Sequence, residues 1–99
     1  MADPDNDPRL LVMISLADVP KHGHAMLLDI EAFSGRRLGP GTLYGAITRL
    51  EEEGFIEAMP PDGRRRPYRM TQSGWLELRT RVDRIGGAVN VARRRLAGR

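Results

Sequence analysis

The hydrophobic period changes twice along these 99 residues, and the order of those changes limits the fold more than any other feature of the chain. From Leu10 to Leu50 apolar residues recur at helical spacing. Between Phe55 and Thr71 the pattern breaks into two short runs around Pro60-Pro61-Asp62-Gly63, and from Trp75 to Leu96 it is helical again. Helix, helix, helix, hairpin, helix is the order this predicts, because period 3.6 and period 2 cannot be satisfied by the same backbone.

A first helix is expected over about Arg9–Ala17, with Leu10, Ile14 and Ala17 on one face and Leu11 and Met13 widening it. Asp18-Val19-Pro20 ends it, since proline disfavours helix in the residue before it. Met26, Leu27, Ile30 and Phe33 form the apolar face of a second helix from about Gly23 to Ser34, with Gly35 as its C-cap. A third begins at Leu38-Gly39-Pro40-Gly41, with Gly39 as N-cap and Pro40 at the first helical position. Leu43, Ala46, Ile47 and Leu50 then follow the i, i+3, i+4, i+7 template, and Gly54 stops the helix after Glu53.

Phe55–Met59 and Arg66–Thr71 read as two short strands joined through Pro-Asp-Gly, in which proline presets φ and glycine supplies a positive φ. Pro67 has no N–H to give a ladder, which places it at a sheet edge or a bulge. The last helix starts near Thr71, a suitable N-cap, and places Trp75, Leu78, Val82, Ile85, Val89, Ala92 and Leu96 at alternating spacings of three and four. That is an a/d seam over three heptads, more than a domain of this size can cover alone. A two-fold homodimer through Leu78, Val82, Ile85, Val89, Ala92 and Leu96 is the expected answer. Gly86-Gly87 inside the seam predicts a kink or a close helix contact.

The expected fold is therefore mostly α with a small β-hairpin, a winged helix-turn-helix plus a long C-terminal dimerisation helix. Residues 9–70 form the nucleic-acid-binding domain and 71–99 the dimerisation helix. Residues 1–8, acidic and without apolar anchors, are expected to be a disordered tail.

Charge sharpens this. The formal net charge is +3, but Asp3, Asp5 and Asp7 place three negative charges in the first eight residues, leaving +6 on residues 9–99. Fifteen of the sixteen basic residues are arginine, whose planar fork suits phosphates and guanine edges. Arg64, Arg65, Arg66 and Arg69 load the hairpin, directly after the third helix. With the apolar face of that helix spent on the core, Gly41, Thr42, Tyr44, Gly45, Thr48 and Arg49 point outward. In a winged helix the third helix enters the major groove and the wing contacts backbone. The candidate double-stranded DNA contacts are accordingly Gly41, Thr42, Tyr44, Thr48, Arg49, Arg64, Arg65 and Arg66. The competing reading makes the fold a protein-interaction module whose basic wing meets an acidic partner.

Other chemistry finds little footing. There is no cysteine, and His22-Gly23-His24 lacks a third ligand at usable spacing, so no metal and no cofactor are expected. Ser15, Ser34 and Ser73 stand in no nucleophile elbow, so no enzyme is expected. No run is long and apolar enough for a membrane, and the N-terminus lacks a cationic signal-peptide start, which predicts a cytoplasmic protein. Trp75 is a candidate border of a small-molecule pocket at the subunit interface, with a buried structural tryptophan as the other reading.

The stretch from Leu10 to about Leu96 resembles the PadR family of bacterial transcriptional regulators. The resemblance rests on His22-Gly23, on Leu38 with Pro40-Gly41-Thr42-Leu43-Tyr44, and on Arg49-Leu50-Glu51-Glu52-Glu53-Gly54-Phe55-Ile56. Gly63-Arg64-Arg65-Arg66 with Tyr68-Arg69-Met70-Thr71 and Gly74 complete it. The resemblance implies a winged helix, a C-terminal dimerisation helix, and repression that a small-molecule effector or other signal relieves; the expected homodimer would bind an inverted-repeat operator. It also implies Thr42, Tyr44 and the wing arginines as DNA contacts. The chain departs from the family pattern at His24, where tyrosine is usual, at Gly39 in place of a serine cap, and at Pro67 in place of a basic or aromatic residue.

Overall fold

A computed structural model describes residues 7–99. The elements are α1 (Pro8–Asp18), β1 (Lys21–His22), α2 (Gly23–Ser34), α3 (Pro40–Glu52), β2 (Ile56–Ala58), β3 (Pro67–Met70) and α4 (Gln72–Ala97). Helix α1 is the hub. Leu10, Leu11, Val12, Met13 and Leu16 are all buried, leaving it no polar stripe, and such a helix is stable in water only when neighbours surround it. Helices α2, α3 and α4 and strand β3 pack against it. It begins one residue earlier than expected, because Asp7 is its N-cap, accepting from the Arg9 N–H at 3.0 Å, and Pro8 takes the first position. Both residues fall within the acidic tail expected from sequence, the rest of which lies outside the described residues.

One polar group sits inside this hub. Ser15 is fully buried and its hydroxyl donates to Asp29 Oδ2 on α2 at 2.7 Å. Lys21 Nζ donates to the Ser15 carbonyl at 2.6 Å and to Asp29 Oδ2 at 3.3 Å. The cluster is fully paired, as burial demands, and it ties α1, β1 and α2 together just before His22.

The sheet has three antiparallel strands in the order β1-β3-β2, one more than the hairpin expected from sequence. Lys21 faces Tyr68 and His22 faces Pro67, while Ile56, Glu57 and Ala58 face Met70, Arg69 and Tyr68. The expectation of an edge position or bulge for Pro67 is therefore corrected: β3 is the central strand. Proline is tolerated there because it is the first residue of the strand, and its carbonyl still accepts from Met59 N at 2.8 Å. The turn also lies further on than Pro-Asp-Gly suggested. Asp62 and Arg65 exchange both backbone hydrogen bonds, at 2.8 and 3.0 Å, so Gly63-Arg64 is the two-residue loop. Gly63 takes φ +62° and Arg64 does not take positive φ, the pattern of a II′ hairpin turn, whose twist suits paired strands.

The base of α4 is clasped to the end of β2's approach. Thr71 caps α4 by accepting from the Gly74 N–H at 3.1 Å, donates its hydroxyl to the Gly54 carbonyl at 2.6 Å, and its N–H donates to the Phe55 carbonyl at 3.1 Å. A Cβ at Gly74 would lie 2.0 Å from that Phe55 oxygen, so only glycine allows this approach. From there α4 runs 26 residues without interruption through Gly86-Gly87, about 39 Å at helical rise. The molecule is correspondingly elongated, 56 × 27 × 21 Å. Nothing lies within 4 Å of where either glycine's Cβ would sit, so within one chain neither mediates a close contact.

The heptad seam divides. Leu78, expected at the dimer interface, is a member of this chain's own core, and Ile85 packs against that core too. Val82, Val89 and Leu96 are 48%, 40% and 66% exposed, and Ala92 is exposed as well.

Candidate nucleic-acid interface

Helix α3 buries Leu43, Ala46, Ile47 and Leu50 and exposes Gly41, Thr42, Tyr44, Gly45, Thr48 and Arg49, as its periodicity requires. Thr42 stands in the first turn, free of the core. The Thr48 hydroxyl donates back to the Tyr44 carbonyl at 2.9 Å, so it faces outward as an acceptor. Arg49, about 10 Å further along the helix than Thr42, shares a shallow polar depression with Arg9, Glu52 and Glu53, in which Arg9 and Glu53 form an ion pair.

Tyr44 does something the sequence did not announce. Its phenol end lies over the start of α2, where a Cβ at Gly23 would meet the Tyr44 hydroxyl oxygen at 2.6 Å. The bare glycine backbone is what lets the aromatic ring of α3 lean toward the wing. The only advance signal was the coincidence of His22-Gly23 and Pro40-Gly41-Thr42-Leu43-Tyr44 in one family pattern.

The wing arginines differ among themselves. Arg64, Arg65 and Arg66 are exposed around the turn. Arg69, counted with them by sequence, is committed to Glu57 on the neighbouring strand, Nε to Oε1 2.7 Å. Between wing, α2 and α3 lies a cavity of about 260 Å³. Arg64, Arg65 and Arg66 line one side of it; His22, His24, Tyr44 and Tyr68 line the rest. Burial pushes the Tyr68 phenol up from its ordinary pKa, the charge of Glu51 adds to this, and Arg66 opposes it. The phenol therefore stays protonated at neutral pH and keeps a hydrogen to donate. His22, His24 and Tyr68 are absent from the site expected from sequence; apart from the rejected metal reading of the two histidines, His22 and Tyr68 enter only through the family resemblance and His24 as a departure from it.

A second concavity, about 500 Å³, lies between α1, α2 and α4. Leu10, Leu11 and Ile14 of α1, Phe33 of α2 and Val82 and Val89 of α4 form its apolar walls, and Asn90 and Arg93 its polar end. Trp75 is not among these residues; it is 46% exposed in the first turn of α4. Among the described residues there is no group of three or more histidine, aspartate or glutamate side chains that could hold a metal, and no helix long and apolar enough to cross a membrane.

Comparison with known proteins agrees with this geometry. The profile of the PadR-like family of transcriptional regulators matches residues 10–80. A transcriptional regulator of Mycobacterium tuberculosis is 42% identical over 69 residues, covering 67% of this chain and 64% of that protein. A 37.1 kDa transposon protein of Streptomyces fradiae is 48% identical over 69 residues, covering 70% of this chain but only 20% of its own length. The chain thus spans less than two thirds of either relative. In three dimensions it is similar to a PadR family regulator of Clostridium difficile, with TM-score 0.80, 20% identity and coverage of 90% of this chain and 97% of that one. A transcriptional regulator of Clostridium thermocellum gives 0.79 at 20% identity, covering 95% and 97%. At those identities the likeness concerns the fold.

Proposed function

Because this chain belongs to the PadR-like family of transcriptional regulators, we propose that it acts as a cytoplasmic homodimer that binds an inverted-repeat operator in double-stranded DNA and represses transcription until a signal releases it. It is a regulator and not an enzyme.

One observation carries the reading. The exposed face of α3 and the arginine turn border the same cavity, Tyr44 from one and Arg64, Arg65 and Arg66 from the other, so a single duplex can meet both. Thr42, Thr48 and Arg49 then read base edges, Gly41 lets the α3 backbone come close, and the wing arginines neutralise phosphates. Pairing of two chains through Val82, Val89, Ala92 and Leu96 would cover what one chain leaves exposed and present two α3 helices to successive major grooves, about 34–36 Å apart. The apolar groove beside α1, with Ile85 and Val89 in its wall, belongs to the same surface.

Gel retardation of a random duplex at low salt tests the class: a retarded species is expected, and a module built for an acidic protein partner would give none. Selection of bound genomic fragments then identifies the operator. Arg64→Ala is expected to weaken all sequences alike and to reduce the salt slope by about 0.9. Thr42→Ala and Arg49→Ala are expected to change sequence preference instead.

A further inference from the structure

In the cavity between wing and α2, one imidazole faces two contacts that a single neutral tautomer cannot serve together. His22 Nδ1 accepts from the Ala25 N–H at 3.3 Å and so caps α2. In the neutral tautomer that caps α2, the ring proton is on Nε2. Nε2 faces Arg65 Nη1 at 3.3 Å, and a guanidinium can only donate. In that tautomer both groups are donors, and one acceptor between them would serve both; in the other tautomer Nε2 accepts from Arg65 and the cap of α2 is given up. The surroundings repeat the theme: Arg64, Arg66, the protonated Tyr68 and Tyr44 line the same space, and none of its described lining residues is acidic.

We propose that this cavity is an oxyanion site for one phosphate of the DNA backbone, held jointly by His22 Nε2 and Arg65, with His24 and the two tyrosines around it. The proposal rests on the DNA-binding reading above and assigns the residues of the second helix a part in it. A tetrahedral phosphate oxygen between Nε2–H and the guanidinium satisfies both donors at once, and hydrogen bonds to a charged acceptor are the strong ones. The site also fixes register. It lies where α2, α3 and the wing meet, so a phosphate seated there sets how far the first turn of α3 enters the groove. The Ser15–Asp29–Lys21 cluster, one residue before His22, holds the ring's backbone in place.

The test compares wild type, His22→Asn, Arg65→Ala and the double variant of the full chain, binding a random duplex at several salt concentrations. Asparagine keeps a side-chain acceptor suited to capping α2 but removes the Nε2 donor, and thermal unfolding of each variant reports the fold. His22→Asn is expected to bind roughly tenfold more weakly with a smaller change in salt slope than Arg65→Ala, since one hydrogen-bond donor is lost. Arg65→Ala is expected to lower the slope by about 0.9. The double variant is expected to lose less than the product of the single losses, because the two donors share one ligand. Wild-type affinity in His22→Asn, or losses that simply multiply, would overturn the proposal.

A second arm separates the source of the phosphate. Inorganic phosphate is titrated at constant ionic strength while the histidine ring resonances are followed. Weak, millimolar shifts that vanish in His22→Asn are expected. Saturation far below that range would replace the backbone phosphate by a free one and overturn the assignment to DNA. If wild type fails to bind duplex at all, the DNA reading falls; a shared anion site survives only if inorganic phosphate still moves the wild-type rings and not those of His22→Asn.

Discussion

The two halves of α4 carry one heptad pattern and meet different surroundings. In the first half, Gly74 sits against the Phe55 backbone, Thr71 clasps Gly54 and Phe55, and Leu78 is 8% exposed within its own chain's core. In the second half Val89 and Leu96 are 40% and 66% exposed, and the arginines at 93–95 face water. The same spacing of apolar residues thus serves two ends: anchoring the helix to its domain, and presenting a line of side chains to something outside it. Periodicity states which face of a helix is apolar and is silent about what covers that face.

The sharpest way to break this contrast is at its tightest point. Gly74→Ala places a methyl against the Phe55 carbonyl and is expected to cost about 3 kcal/mol or more, measured by chemical denaturation; a near-neutral result would mean that the base of α4 is not clamped. Leu78→Ala comes next, at about 2–3 kcal/mol, and independent of protein concentration because the side chain is buried within one chain. Val89→Glu asks the converse question of the outer half. Sedimentation equilibrium is expected to give the monomer mass while the far-ultraviolet spectrum is kept, and an unchanged dimer would move the interface elsewhere.

Smaller effects refine the picture. Gly87→Ala meets no neighbour within 4 Å in one chain, so it is expected to raise stability by about 0.5–1 kcal/mol through helix propensity alone. A loss instead would reveal a helix from a second chain passing close by. The smallest concerns the ion pair between Asp7 and Arg81, which joins the α1 cap to α4. Burial would raise the Asp7 carboxyl, but Arg81 and the Arg9 and Leu10 N–H groups outweigh it and hold the pKa below its ordinary value. A carboxylate lowered on folding stabilises above its unfolded pKa, about 4, and that contribution is lost as the pH falls through the folded value. Wild type is therefore expected to lose stability below about pH 4 by a component that Asp7→Asn lacks, as acid titration of the unfolding midpoint will show.

Much of the fold could be read in advance where local chemistry and global packing agreed. The four helices, the Gly39-Pro40 start of α3, its buried and exposed faces and the Thr71 cap all follow from spacing and end signals within a few residues of one another. The exposed face of α3 was legible for the same reason: once Leu43, Ala46, Ile47 and Leu50 are assigned to the core, the remaining residues have nowhere else to point. Strand β1 was not legible. Lys21 and His22 form a strand only because β3 offers its free edge to them, and a two-residue segment between Pro20 and Gly23 has no period to detect.

What the amino-acid sequence determined alone, then, is the order of the four helices and the hairpin, the Gly39 and Thr71 caps, the core face of α3 and the arginine loading of the turn. Tertiary structure decided the rest. It made β3 central, paired Arg69 with Glu57 and left Arg64, Arg65 and Arg66 exposed, laid Tyr44 over Gly23, brought His22 to Arg65 across 43 positions of chain, and split the α4 seam. The reason is physical: propensity and periodicity act over a few residues, whereas close approach, ion pairing and burial depend on which distant segments the core brings into contact.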